Sequence, residues 1–205
     1  MINAMCALRC AGVFVLLSGC AGVGLVANSD PLIKLNDGEV LSMSKDRPLP
    51  TERLIQEATA IYRERDDPHG LGNSYREYGD LLRSPSVARY EAIYRRDGFI
   101  DKSITFDGRS AKATELYMKA LEYYRIAEKR ELTADKYDAL TNVYYNMAGI
   151  NLVLGAKDEA CTDYDRTLQA YATNMKQNPA ARPVGPKSGT IPESILLIKQ
   201  RVGCP

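Results

Sequence analysis

Tryptophan is absent from this chain of 205 residues, histidine occurs once and phenylalanine three times. The lone imidazole, His69, has no second histidine with which to share a metal or build a Ser-His-Asp relay. Lying between Pro68 and Gly70, it reads as a solvated turn residue. Charge of one sign is lacking too, since 27 Lys and Arg face 26 Asp and Glu. A balanced chain offers no net basic face to nucleic acid phosphates. With 45% hydrophobic and 26% charged residues, it also lacks the apolar poverty of a disordered chain, except before residue 50.

What is present in quantity is tyrosine, at 13 residues. An apolar ring with a polar tip suits packed helices. The length fits one ordinary domain once a leader of about twenty residues is removed.

The N-terminus carries Arg9, an apolar stretch Cys10–Leu17, and then Leu17-Ser18-Gly19-Cys20. This is a signal-peptide layout, too short to persist as a membrane-spanning helix. The last four residues resemble the lipobox of bacterial lipoproteins. The resemblance implies that residues 1–19 are cleaved and that Cys20 carries a diacylglyceryl thioether and an N-acyl chain. Several acyl chains anchor stably where one does not. The alternative is an ordinary cleaved leader or an uncleaved anchor. By resemblance to sorted lipoproteins, Ala21 after the cysteine implies the periplasmic face of the outer membrane. Because Arg9 is the leader's only charge, the mature chain is formally neutral.

Five cysteines occur, of which Cys6 and Cys10 leave with the leader and Cys20 takes the lipid. Cys161 and Cys204 remain, a candidate disulfide in an oxidising compartment. The alternative is two unrelated thiols, one on a helix and one at a frayed end.

Residues 20–49 mix Gly, Asn, Ser, Asp and Pro without a sustained period, predicting a lipidated flexible tether. Helical spacing predicts helices at about 50–65, 71–83, 85–96, 110–130, 134–154, 157–177 and 191–202. The third starts at Ser84-Pro85, a cap followed by proline at the first helical position. Asp97–Gly108 reads as irregular, with Ile104, Thr105 and Phe106 suited to a short extended piece. A Pro/Gly-rich connector follows residue 178. Thr190 and Glu193 then form a capping-box pattern before the last helix. The domain proper is 50–178, and the connector with its helix occupies 179–205.

Tyr144, Asn146, Met147, Ala148, Gly155, Ala160, Tyr164 and Leu168 stand at the spacing of a tetratricopeptide repeat. Small Ala148 and Ala160 let two antiparallel helices approach, tyrosines fill the sides, and Gly155 permits the turn. The pattern departs from the family at Asn151 and Thr167. Tyr75, Tyr78, Gly79 and Leu82 repeat the first-helix pattern, and Gly79 precedes Ala148 by about two periods of roughly 34 residues. Ala113, Tyr117 and Ala120 look like a second helix whose partner is irregular. The chain therefore resembles the tetratricopeptide family over 50–177, which implies an all-α solenoid of antiparallel helix pairs with about seven helices. The alternative is a generic helical bundle, still all-α.

In that family the first helix of each repeat lines a concave groove. Carried over, this places Asn73, Arg76, Asp80 and Arg83 beside Asn142, Tyr145, Gly149 and Leu152, facing a protein or peptide segment. No catalytic set emerges. Ser42 and Lys45 match S-x-x-K and Lys187-Ser188-Gly189 a related motif, but in a tether and a connector, not in the scaffold such chemistry needs. Asp158, Glu159, Asp163 and Asp165 read as a charged helix face, not a calcium loop. The expectation is a membrane-anchored protein-binding module, not an enzyme, with no metal and no cofactor besides the lipid on Cys20. It is either an assembly or scaffold factor or an immunity protein that neutralises a secreted toxic effector.

Overall fold

The computed structural model describes residues 29–180 and 190–205; the leader, Cys20 and 181–189 lie outside them. The described residues form nine helices: α1 (Pro31–Lys45), α2 (Pro48–Glu64), α3 (Pro68–Arg83), α4 (Pro85–Arg89), α5 (Glu91–Asp97), α6 (Arg109–Thr133), α7 (Tyr137–Val153), α8 (Lys157–Gln177) and α9 (Ile191–Val202).

They pack as antiparallel pairs, α1 on α2, α3 on α6 and α7 on α8, and successive pairs meet through α2 on α3 and α6 on α7. The tight turns are set by residues with positive φ: Asp46 after α1, Asp66 after α2, Asp135 after α6 and Gly155 after α7. Aspartate tolerates this left-handed conformation better than most side chains.

The tether expected through residue 49 does not hold for Pro31–Lys45, which is helical. Asp30 caps it through the Leu32 N–H at 2.9 Å, and Pro31 takes the first helical position. Its buried face mixes Leu35 and Leu41 with Lys34, Gly38 and Ser42. That mixture hides the apolar period, because the stabilising contacts are polar. Thr51 of α2 donates to the Gly38 carbonyl at 3.0 Å, and Lys34 pairs with Glu57 at 2.6 Å.

Similarly, α3 begins at Pro68, not Leu71, because Asp67 caps it by accepting from the Gly70 N–H at 2.9 Å. His69 therefore sits in a helical turn, half-buried and edge-on to Tyr124, and not in a solvated loop. Burial lowers its pKa. The expected third helix is broken at Tyr90 into α4 and α5. Ile104 to Phe106 pairs in no strand, yet Ile104 and Phe106 are buried in the core.

Glycines decide how closely α3 and α6 approach. A Cβ on Gly79 would lie 2.8 Å from Cε1 of Tyr117, and one on Gly72 2.7 Å from Cδ1 of Tyr124. The chain between the two helices folds back onto the core through Val87, Tyr94, Phe99, Ile104 and Phe106. Glu52 of α2, only 1% exposed, pins it by accepting from the Ile100 N–H at 2.7 Å and the Tyr78 hydroxyl at 2.8 Å.

At the far end, Ile195 of α9 buries itself against Ala148 and Tyr164, with Leu152 and Leu168 packed alongside. The expected capping box of Thr190 and Glu193 is present. So is the disulfide between Cys161 and Cys204, with Cα atoms 5.6 Å apart.

Candidate functional site

One face of the molecule is formed by α1, α3 and α7, and it carries two adjoining hollows. The larger, about 570 Å³, is lined by Glu39, Ser42 and Met43 of α1, by Arg76, Glu77 and Asp80 of α3, and by the start of α4. The smaller, about 260 Å³, is lined by Tyr145, Asn146, Gly149 and Val153 of α7, with Tyr117 of α6 and Tyr164 of α8. Arg76 and Asp80 line both, so the two hollows meet at this pair, and together they are called the trough.

The helical period explains the lining. Arg76 and Asp80, one turn apart, stand on the side of α3 opposite Leu71, Tyr75 and Leu82, which face the core. Tyr145 and Gly149 repeat the spacing on α7.

The polar groups are locked together. Arg76 donates to Glu77 and, at 3.2 Å, to Asp80. Asp80 also accepts the Tyr117 hydroxyl at 2.6 Å. Burial pushes the Glu77 carboxyl up to about 7, Arg76 opposes this, and Asp80 and Glu39 add to it. Arg76 is held protonated despite its burial, because Glu77 and Asp80 surround it. Its Nε is buried without a hydrogen-bond partner. Arg89, at the rim, donates to both carboxylate oxygens of Asp46 at 2.7 Å, through Nε and Nη2. Apolar surface is supplied by Met43, 79% exposed, and Tyr145, 44% exposed.

Of the eight residues expected in a groove, Arg76, Asp80, Tyr145 and Gly149 line this trough. Asn73 instead ties helices together, its carbonyl oxygen accepting from the Tyr124 hydroxyl at 2.7 Å and from Asn146 at 3.1 Å. Arg83 lies over the Tyr117 ring, 5.9 Å from its centre. Asn142 is exposed and donates to the Asp138 carbonyl of its own helix at 3.3 Å. Leu152 points to α9, because the last pair needs its apolar flank covered. Glu39, Ser42 and Met43 were not legible as lining residues while their segment read as a tether. Glu77 carried no signal beyond being charged.

Among the described residues no group of His, Cys, Asp or Glu is placed to hold a metal ion. No helix among them is long and apolar enough to cross a membrane. Compared with family models, curated proteins and solved structures, the chain matches none of them.

Proposed function

We propose that this chain is a lipoprotein, anchored through Cys20 at the periplasmic face of the outer membrane, whose α1–α3–α7 face holds a segment of another protein as an assembly or scaffold factor. The observation that carries the reading is the trough itself. Arg76 and Asp80 belong to both hollows, so an extended chain lying across α1, α3 and α7 would meet the two hollows in turn, with this pair between them. Exposed Met43 and Tyr145 offer apolar anchors at its two ends, and the polar centre suits hydrogen bonds to a peptide backbone.

The order of the helix pairs supports a tetratricopeptide-like solenoid in which α1, α3 and α7 are the first helices of three repeats. On this reading α6 is the second helix of the α3 repeat, with α4, α5 and residues 98–108 inserted between them. Helix α9 serves as the terminal cap such arrays require. The stretch 21–30 spans at most about 35 Å, so the trough works close to the membrane.

The test is affinity capture after crosslinking in intact cells, comparing the wild type with Met43→Asp/Tyr145→Ala. Both side chains are exposed, so the fold is retained. A protein held by the wild type and lost by the variant is the expected result. Identical capture by both would move the working surface off this face.

A further inference from the structure

On the other side of α3 a cleft of about 410 Å³ opens between α2, α3 and α6. Three cationic side chains line it, Arg63 of α2 and Lys112 and Lys119 of α6. Lys112 is paired with Glu115 at 2.9 Å. Asp101, the other acid of the lining, is engaged by the Ser103 N–H at 2.9 Å and hydroxyl at 2.7 Å. Neither Arg63 nor Lys119 is paired with a carboxylate among the described residues. Instead both converge on one phenol. Arg63 reaches the Tyr75 hydroxyl at 3.5 Å, and the Lys119 ammonium stands 4.5 Å from the centre of the same ring.

Tyr75 is a fixed post. It is 8% exposed, and its ring stacks on Tyr123 with centroids 5.4 Å apart. Both cations are solvent-exposed, so while one contact of each is made to Tyr75, their remaining N–H donors face the open cleft, where an anion can meet them. Burial alone would raise the phenol's pKa, yet it is lowered, because Arg63 and Lys119 outweigh burial. The cleft therefore has a positive potential at its wall.

The geometry points to an oxyanion site at Arg63, Tyr75 and Lys119, and we infer that its ligand is a phosphate group. The donors come from three helices and approach from different sides. A tetrahedral anion presents oxygens in several directions at once, whereas a planar carboxylate presents two in one plane. A guanidinium fork, an ammonium and a phenol O–H together match the first arrangement. The phosphate belongs either to a small soluble compound or to a lipid headgroup of the nearby membrane.

The experiment uses the full-length protein in detergent, titrated with inorganic phosphate or with glycerophosphoglycerol, a water-soluble headgroup diester, against chloride at equal ionic strength. The readouts are backbone amide shifts and the ultraviolet titration of the tyrosines. A saturable shift at α2, α3 and α6 is expected, with the Tyr75 phenol pKa rising as phosphate neutralises its neighbours. Tighter binding of the diester than of phosphate assigns the site to a lipid headgroup, and the reverse to a soluble phosphate. Arg63→Gln/Lys119→Gln should weaken the binding about tenfold or more. Tyr75→Phe keeps the stacked ring and should weaken it less. No saturable shift with either probe, equal affinity in the double variant, or succinate binding as tightly as phosphate would overturn the assignment.

Discussion

Tyr117 of α6 donates its hydroxyl to Asp80 of α3 at 2.6 Å, while the edge of the same ring rests against Gly79. One side chain thus closes the α3–α6 pair and fixes a carboxylate in the trough. Burial and Asp80 together raise the phenol's pKa, so it remains a donor. Tyr117→Phe keeps the packing and removes the bond. It is expected to cost about 1–2 kcal/mol in urea denaturation. An unchanged midpoint would mean that water replaces the hydroxyl at no cost.

Two helical glycines separate close approach from mere helix propensity. A Cβ at Gly149 meets nothing within 4 Å, whereas one at Gly79 meets the Tyr117 ring at 2.8 Å. Gly149→Ala should stabilise by up to about 1 kcal/mol. Gly79→Ala should destabilise by about 1–3 kcal/mol before that gain is subtracted. Thermal unfolding of the two variants checks the ordering, and equal shifts would contradict the packing of α3 on α6.

Acid should stabilise the fold before it unfolds it. Burial raises Glu77 from 4.5 to about 7, Asp163 from 3.8 to about 6, and Glu52 in the same direction. These groups bind protons more tightly folded than unfolded, so stability falls as pH rises from their ordinary values through the raised ones. Asp46, Asp97, Asp101, Asp107 and Glu193 are lowered by their hydrogen bonds. Their contribution is present above the ordinary carboxylate range and is lost as pH falls through the lowered values. His69, lowered by burial, works the other way as pH falls below 6.5, but three raised carboxyls stand against this one imidazole, so the stability profile should peak at about pH 4–5. Denaturation midpoints across pH check this, and Glu77→Gln should flatten the slope between about pH 5 and 7. A profile rising steadily to neutrality would contradict the burial of these carboxyls.

The disulfide closes a loop with a sequence separation of 43. Chain entropy gives it about 4 kcal/mol at most. Reduction, or Cys204→Ser, should lower global stability by up to that amount. Amide exchange in α9 should accelerate before that in α7 and α8, because α9 is otherwise held mainly by Ile195 and the Lys199–Asp165 pair. Unchanged exchange in α9 would show that the helix needs no crosslink.

Much of the helix pattern was legible because it rests on apolar spacing. Leu116, Tyr117, Ala120 and Tyr124 recur at helical intervals, and Thr190 with Glu193 marks the start of α9 at the residue before its first turn. Helix α1 was not legible, since its contacts use Lys34, Gly38 and Ser42 in place of a leucine stripe. Asp30-Pro31 read as tether and Asp67-Pro68 as a turn, although each is a cap with proline at the first helical position. The partner of α6 looked irregular because α4 and α5 separate it in sequence from α3, and only packing reunites them. The same gap in α1 hid half of the trough, and Leu152 was misplaced because α9 claims its side.

Site-specific photo-crosslinking tests the account's central claim most directly. A photoreactive residue replaces Met43 or Tyr145 in the trough, and Met118 or Ile126 on exposed surface of α6, in cells making the full-length protein. The account predicts one partner crosslinked from both trough positions and from neither α6 position. Crosslinks to that partner from α6 alone would contradict it.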